Sequence, residues 1–204
     1  MSTQLFIKDS IRNRRRNKEK TRKEITRAAI KIFTKQGFVK TSTLEIAKEA
    51  KVAHGTVFFH FPTRAELMIE SIYRTMDKLA YELDLLSRKT TDLRKLCRLF
   101  LREISIKETF YSRLVRDLPQ LPLDIQRLVF ASLSGFSTHF VEVIERGQKK
   151  GNFRNITPKT AVFYWFGMVN YLYSYPELLG TKKITKNEET ELIDFFIKAL
   201  KNRG

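Results

Sequence analysis

The stretch KVAHGTVFFHF, residues 51–61, decides how the chain folds. It lies between two segments with helical periodicity. Within it, Val57, Phe58 and Phe61 are spaced to bury one face of a short helix. That leaves His54, Gly55, Thr56, Phe59 and His60 on the open face. Lys51 stands where a turn favours glycine, and Ala53 stands where a helix start favours a capping hydroxyl. Two readings compete at this point: a helix that reads DNA, and an aromatic core helix.

The flanks favour the first. Upstream, TSTLEIAKEA begins with Ser42 and Glu45 at capping-box spacing, with Thr43 as the rival cap. Ile46, Ala47 and Ala50 make one apolar face. Further back, Ile25, Ala28, Ala29, Ile32 and Phe33 form the stripe of an amphipathic helix from about Lys20 to Gln36. Gly37 ends it. Downstream, Pro62 breaks the short helix, and Thr63 and Glu66 cap a long one that reaches about Ser87. Two short helices joined by a tight turn, behind a third, make a helix-turn-helix. Ala47 supplies the small residue where helices cross, and Val52 plugs the turn.

The remainder is also helical. Leu93, Leu96, Phe100 and Ile104 mark one helix, a short segment follows at 111–117, and LPQLP bends the chain. Long periodic segments occupy 125–146, 158–175 and 188–201. No strand alternation of useful length is visible, and eight Gly with five Pro are few for an all-β fold. The expected class is all-α, with about nine helices. A basic arm covers 1–19, the helix-turn-helix unit covers 20–66, and a larger helical domain covers 67–204.

Charge points to a partner. The net charge is +17, and residues 1–62 carry 15 Lys/Arg against 5 Asp/Glu. A polyanion is the natural complement, with a solvated basic surface as the plain alternative. In RNRRRNKEKTRK, residues 12–23, eight residues are basic and one is acidic. Arg14, Arg15 and Arg16 suit a narrow minor groove, or they raise affinity without selectivity. The single Cys97 allows no internal disulfide and suggests a reducing compartment. No signal peptide is apparent, and the apolar run 161–175 is too short to span a bilayer. A soluble, cytoplasmic protein without a membrane partner is expected. The histidines and Cys97 lack metal-ligand spacing, and no phosphate loop, carboxylate pair or nucleophile–base pattern appears. No metal, no cofactor and no enzymatic activity are expected.

Residues 20–67 resemble the DNA-binding domain of the TetR family of transcriptional regulators. GFVKTSTLEIA (37–47), AKVAHGTVFFHF (50–61) and PTRAEL (62–67) follow that family's pattern without insertion. The resemblance implies roles for individual residues. Thr43 resembles the residue that holds a backbone phosphate, and Leu44 follows at a base-reading position. His54, Gly55 and Thr56 open the recognition helix. Phe59 and His60 stand where the family often has Tyr-His, so a tyrosine hydroxyl is missing. Thr63 and Arg64 resemble a second phosphate clamp.

The resemblance further implies a homodimeric repressor on a palindromic operator in double-stranded DNA, released by a small-molecule effector. The last two helices would supply the dimer face: Met168, Leu172, Tyr175, Leu192, Phe195, Phe196 and Ala199. An intramolecular core would show the same stripe. Phe100, Phe110, Phe136, Phe140, Trp165 and Tyr171 are the candidate walls of a pocket for an apolar or aromatic ligand, with plain core packing as the alternative. Two rival functions stay open: a constitutive or architectural DNA-binding protein, and a basic protein of the membrane surface.

Overall fold

The computed structural model describes residues 2–202, with side chains from Arg12 onward. Among these residues the chain forms nine α-helices: α1 (Ser2–Gln36), α2 (Thr43–Ala50), α3 (His54–His60), α4 (Arg64–Lys89), α5 (Leu93–Ile106), α6 (Glu108–Asp117), α7 (Leu123–Lys149), α8 (Pro158–Ser174) and α9 (Lys186–Leu200). Short 3₁₀ turns follow α6 and α8. The β-type pairing among the described residues is one isolated bridge, Phe153 to Lys201.

The main departure from expectation lies at the front. The basic arm is not separate from the first helix, because α1 begins at Ser2. Its composition explains this. Arg, Lys and Glu are good helix formers, and no Gly or Pro interrupts residues 2–36. Glu19–Lys23 and Lys20–Glu24 add i,i+4 pairs of opposite charge.

Two apolar cores lie along the molecule. The first joins Ile25, Ala29 and Phe33 of α1 to Ile46 and Ala47 of α2, Val57 of α3, and Leu67, Met68 and Ile72 of α4. Phe110 and Leu114 of α6, with Ile125 and Val129 of α7, complete it. The helix-turn-helix core therefore does not close at residue 66. The second core joins the far half of α4, through Leu79 and Leu83, to α5, α7, α8 and α9. α4 runs through both, so it is the mechanical link between them. Each fully buried Phe or Leu contributes about 1.5–3 kcal/mol, and Phe33, stacked on Phe38 at 4.5 Å, is one such residue.

Polar anchors set the position of the head. Asp117, the last residue of α6, accepts the Phe38 amide at 2.6 Å and the Val39 amide at 3.3 Å. From the opposite side, Arg64 donates to the carbonyls of the same two residues. Arg22 of α1 donates to the His60 carbonyl at the end of α3, lies 3.5 Å from Glu70 of α4, and stacks 4.0 Å above the Phe61 ring. It falls three residues before Ile25 on the inward stripe, which is the one sign in the sequence that it is structural.

Candidate nucleic-acid interface

The capping signals position α2 and α4. Ser42, not Thr43, caps α2: its side chain accepts the Glu45 amide, and Glu45 returns the bond to the Ser42 amide at 2.8 Å. That bond holds the Glu45 carboxyl below its usual pKa. Thr63 caps α4 by accepting the Glu66 amide at 3.1 Å. Each helix start leaves amides unpaired within its own helix and carries a partial positive charge.

Between α2 and α3 the chain turns through Lys51, at φ 56° and ψ 42°. Lys51 donates to the Lys48 carbonyl, and Val52 donates to the Ala47 carbonyl at 3.0 Å. This is the bond pair of a Schellman motif, with lysine in the left-handed position that glycine usually takes. The backbone of Ala53 has cap geometry, but no side chain caps α3.

The buried face of α3 differs from the expected one. Val57 and Phe61 are buried, as the spacing suggests. Phe58, expected inward, is 42% exposed, and its ring meets His54 edge-on at 5.1 Å. His60, expected on the open face, is buried instead, and its Nδ1 has no hydrogen-bond partner. Helical spacing alone does not choose between them, since positions 58 and 60 lie roughly 80° to either side of the line through Val57 and Phe61. α1 does: its Arg22 donates to the His60 carbonyl and stacks on Phe61, so the His60 side is the covered one. Burial and the cations Lys18 and Arg22 push the His60 pKa down. The open face of α3 is thus His54, Gly55, Phe58 and Phe59.

Other predicted contacts fall out as follows. Thr43 places Oγ1 2.9 Å from Nε2 of His54, which ties the start of α2 to the start of α3. Leu44 is 48% exposed beside it. Thr56 is half-buried. Arg64 is drawn inward to the Phe38 and Val39 carbonyls, and burial lowers its pKa, so its guanidinium serves as an internal strut. Arg14, Arg15 and Arg16 are exposed, but on a helix that points successive side chains about 100° apart rather than along an extended arm. Lys18 of α1, which sequence reasoning passed over, places Nζ 4.9 Å from the Phe59 ring centroid. Lys18, Lys40, Lys48 and Lys51 are all exposed.

The predicted pocket walls do not surround one space. Phe100 packs edge-to-face against Phe136, Phe140 and Phe166, at 5.3–6.2 Å. Trp165 is fully buried between Phe140 and Phe196. Phe110 belongs to the first core, against Phe38, and Tyr171 is 62% exposed. Of the six, Phe136 alone borders the open groove of about 280 Å³ between α4 and α7, with Met76, Leu128 and His139.

The predicted dimer face is also redistributed. Phe195, Ala199 and Tyr175 are exposed; Met168, Leu172 and Leu192 are half-buried; Phe196 lies inside the molecule's own core against Trp165 at 5.0 Å. Phe163, Tyr164 and Gly167 join Phe195 and Ala199 along an apolar groove between α8 and α9.

Residues 25–70 match the family model described as bacterial regulatory proteins, tetR family, and residues 88–175 match the one described as tetracyclin repressor-like, C-terminal domain. The chain belongs to the TetR family. Like its first core, the first match spans the helix-turn-helix and enters α4. This TetR-family chain is 34% identical over 73 residues to the HTH-type transcriptional regulator TtgR of Pseudomonas putida, covering 34% of this chain and 35% of that one. The chain therefore spans about a third of the length of that curated relative. Among solved structures, the fatty acid degradation regulator FadR from Bacillus halodurans aligns over 90% of this chain and 97% of its own, with a TM-score of 0.75 and 17% identity. A transcriptional regulator from Saccharomonospora viridis, in complex with choline, aligns over 91% and 100%, with a TM-score of 0.73 and 20% identity. At these identities the two structures show a shared fold.

Proposed function

We infer that the chain is a sequence-specific regulator of transcription. It acts in the cytoplasm as a homodimeric repressor on palindromic double-stranded DNA, and a small apolar or aromatic ligand releases it. Its work is binding, not catalysis. One observation carries the DNA-binding reading: α3, with an open face, is flanked in the chain by two helices with capped starts, α2 and α4, on a head that also exposes Lys18, Lys40, Lys48 and Lys51. A protruding helix suits the major groove, and helix starts suit the flanking phosphates.

The contact area of a single short helix is small for high selectivity, so a dimer is part of the proposal. The exposed aromatic face of α8 and α9, with Phe163, Tyr164, Tyr171 and Phe195, supports self-association. A two-fold dimer places its reading heads roughly 34–36 Å apart, one turn of DNA. The groove between α4 and α7 is the candidate ligand site, because α4 links the body to the head and a ligand can act only by favouring one of two head positions.

Selection of bound duplexes from a random pool tests the first claim. A palindrome with half-sites one turn apart is expected, with affinity falling steeply as salt rises. Binding that ignores both sequence and salt would defeat it.

The filled aromatic core of Phe100, Phe140 and Trp165 favours a second reading: a constitutive DNA binder with no effector. A compound that raises thermal stability and releases the operator excludes that reading. A screen in which stabilising compounds leave operator affinity unchanged favours it.

A further inference from the structure

The face that α3 presents lacks the side chains that usually read base pairs by paired hydrogen bonds. Guanine is read by Arg or Lys and adenine by Asn or Gln, each through two bonds. From Val52 to Phe61 the sequence contains none of these four residue types. His60 is buried, and one nitrogen of His54 is engaged by Thr43. Gly55 offers only backbone, with nothing within 4 Å of where its Cβ would stand.

The exposed groups are apolar instead. Phe59 is 67% exposed, Phe58 42%, and Leu44 at the adjacent start of α2 48%. Three large apolar side chains on one small head, among exposed lysines, mark a contact surface. The lysines fix the sign of the partner. The Lys18 ammonium beside the Phe59 ring steadies the ring and brings a cation where a phosphate of the same groove wall can share it. The major groove exposes one hydrocarbon group on its base pairs, the thymine C5 methyl.

We propose that this chain reads its operator through thymine methyl groups, with Phe59 and Phe58, assisted by Leu44, packing against them in the major groove. Selectivity at those positions is apolar, and the half-site is rich in A·T pairs. The proposal rests on the DNA-binding reading above and names what that face recognises.

Replacing thymine by uracil removes the methyl and leaves every hydrogen-bonding atom of the base pair in place. In the selected operator, each contacted thymine changed to uracil is expected to weaken binding by about fourfold, the effect of uncovering one buried methyl. Phe59→Ala and Phe58→Ala, both at exposed positions, should fold as the parent does, by circular dichroism. Each should bind the thymine operator more weakly and lose the thymine-over-uracil preference at the position it covers. An operator bound equally well with thymine or uracil at every position overturns the proposal and leaves the DNA-binding reading standing. Both variants keeping the full preference also overturns it. A protein that selects no sequence from the pool defeats the proposal and the DNA-binding reading together.

Discussion

Asp117 at the end of α6 holds the Phe38 amide 2.6 Å from its carboxylate, so a body helix is bonded to the loop that feeds the helix-turn-helix. The Gly37 position is part of the arrangement. At φ +88° it has the left-handed backbone that glycine tolerates, and a Cβ there would lie 2.6 Å from the same carboxylate oxygen. With Arg64 on the two carbonyls, the loop is gripped by an anion on its amides and a cation on its oxygens.

Removing the anion should loosen that grip. Asp117→Ala is expected to cost about 1–3 kcal/mol, chiefly the effect of stripping a partner from the half-buried Phe38 amide, with the exposed Val39 amide adding little. Urea denaturation measures it. A loss below the error of the method would mean that water replaces the carboxylate without cost.

The turn before α3 carries two correctable residues. Lys51→Gly should stabilise by about 1 kcal/mol, by relieving a left-handed non-glycine position. Ala53→Ser should add about 1 kcal/mol, by supplying the absent cap. The two sites are close, so the double variant is to be compared with the sum of the singles. Lys51→Gly should also flatten the salt dependence of DNA binding, if the lysine faces a phosphate.

His60 links stability to pH. Burial first, then Lys18 and Arg22, lower its pKa below the ordinary value of about 6.5, while Glu19 opposes them weakly. The unfolded chain therefore takes up a proton that the folded chain refuses. Stability from this group is full above pH of about 6.5 and is lost as pH falls from there through the lowered folded value. His60→Leu should remove this component of the pH profile. An unchanged profile would place the titration elsewhere. The buried position also means that His60→Ala should cost folding stability rather than only DNA affinity.

Deleting residues 1–16 tests the basic start of α1. Affinity should fall for every duplex alike, and the log–log salt slope should become shallower by about 0.9 for each phosphate that those residues neutralise. Lys18 and its approach to Phe59 are retained in that variant. A change in sequence preference instead would point to groove reading by Arg14, Arg15 or Arg16.

Phe195→Glu should dissociate the proposed dimer without unfolding the protomer, because the side chain is 65% exposed. Sedimentation reports the mass, and circular dichroism reports the fold. Phe196→Glu, one residue on, should unfold the protomer, because that ring is packed on Trp165.

The sequence by itself determined the caps, the turn and the helices, apart from the start of α1 at Ser2. Ser42, Glu45, Thr63 and Lys51 act on backbone within five residues of themselves, so their roles are local and legible in the chain. The family resemblance was legible for the same reason, since its residues form one unbroken segment. Only the tertiary structure decided whether Phe58 or His60 joins Val57 and Phe61 on the inward face, because a seven-residue helix is too short for periodicity to fix its inward face within one position. It left Phe58 and Phe59 open and buried His60. It placed Phe110 in the head core and Phe196 in the body core, because a helical stripe records that a face is buried but not against what. Asp117 had no signal at all: its partners lie 78 and 79 residues away, and a bond of that range exists only once both cores have closed.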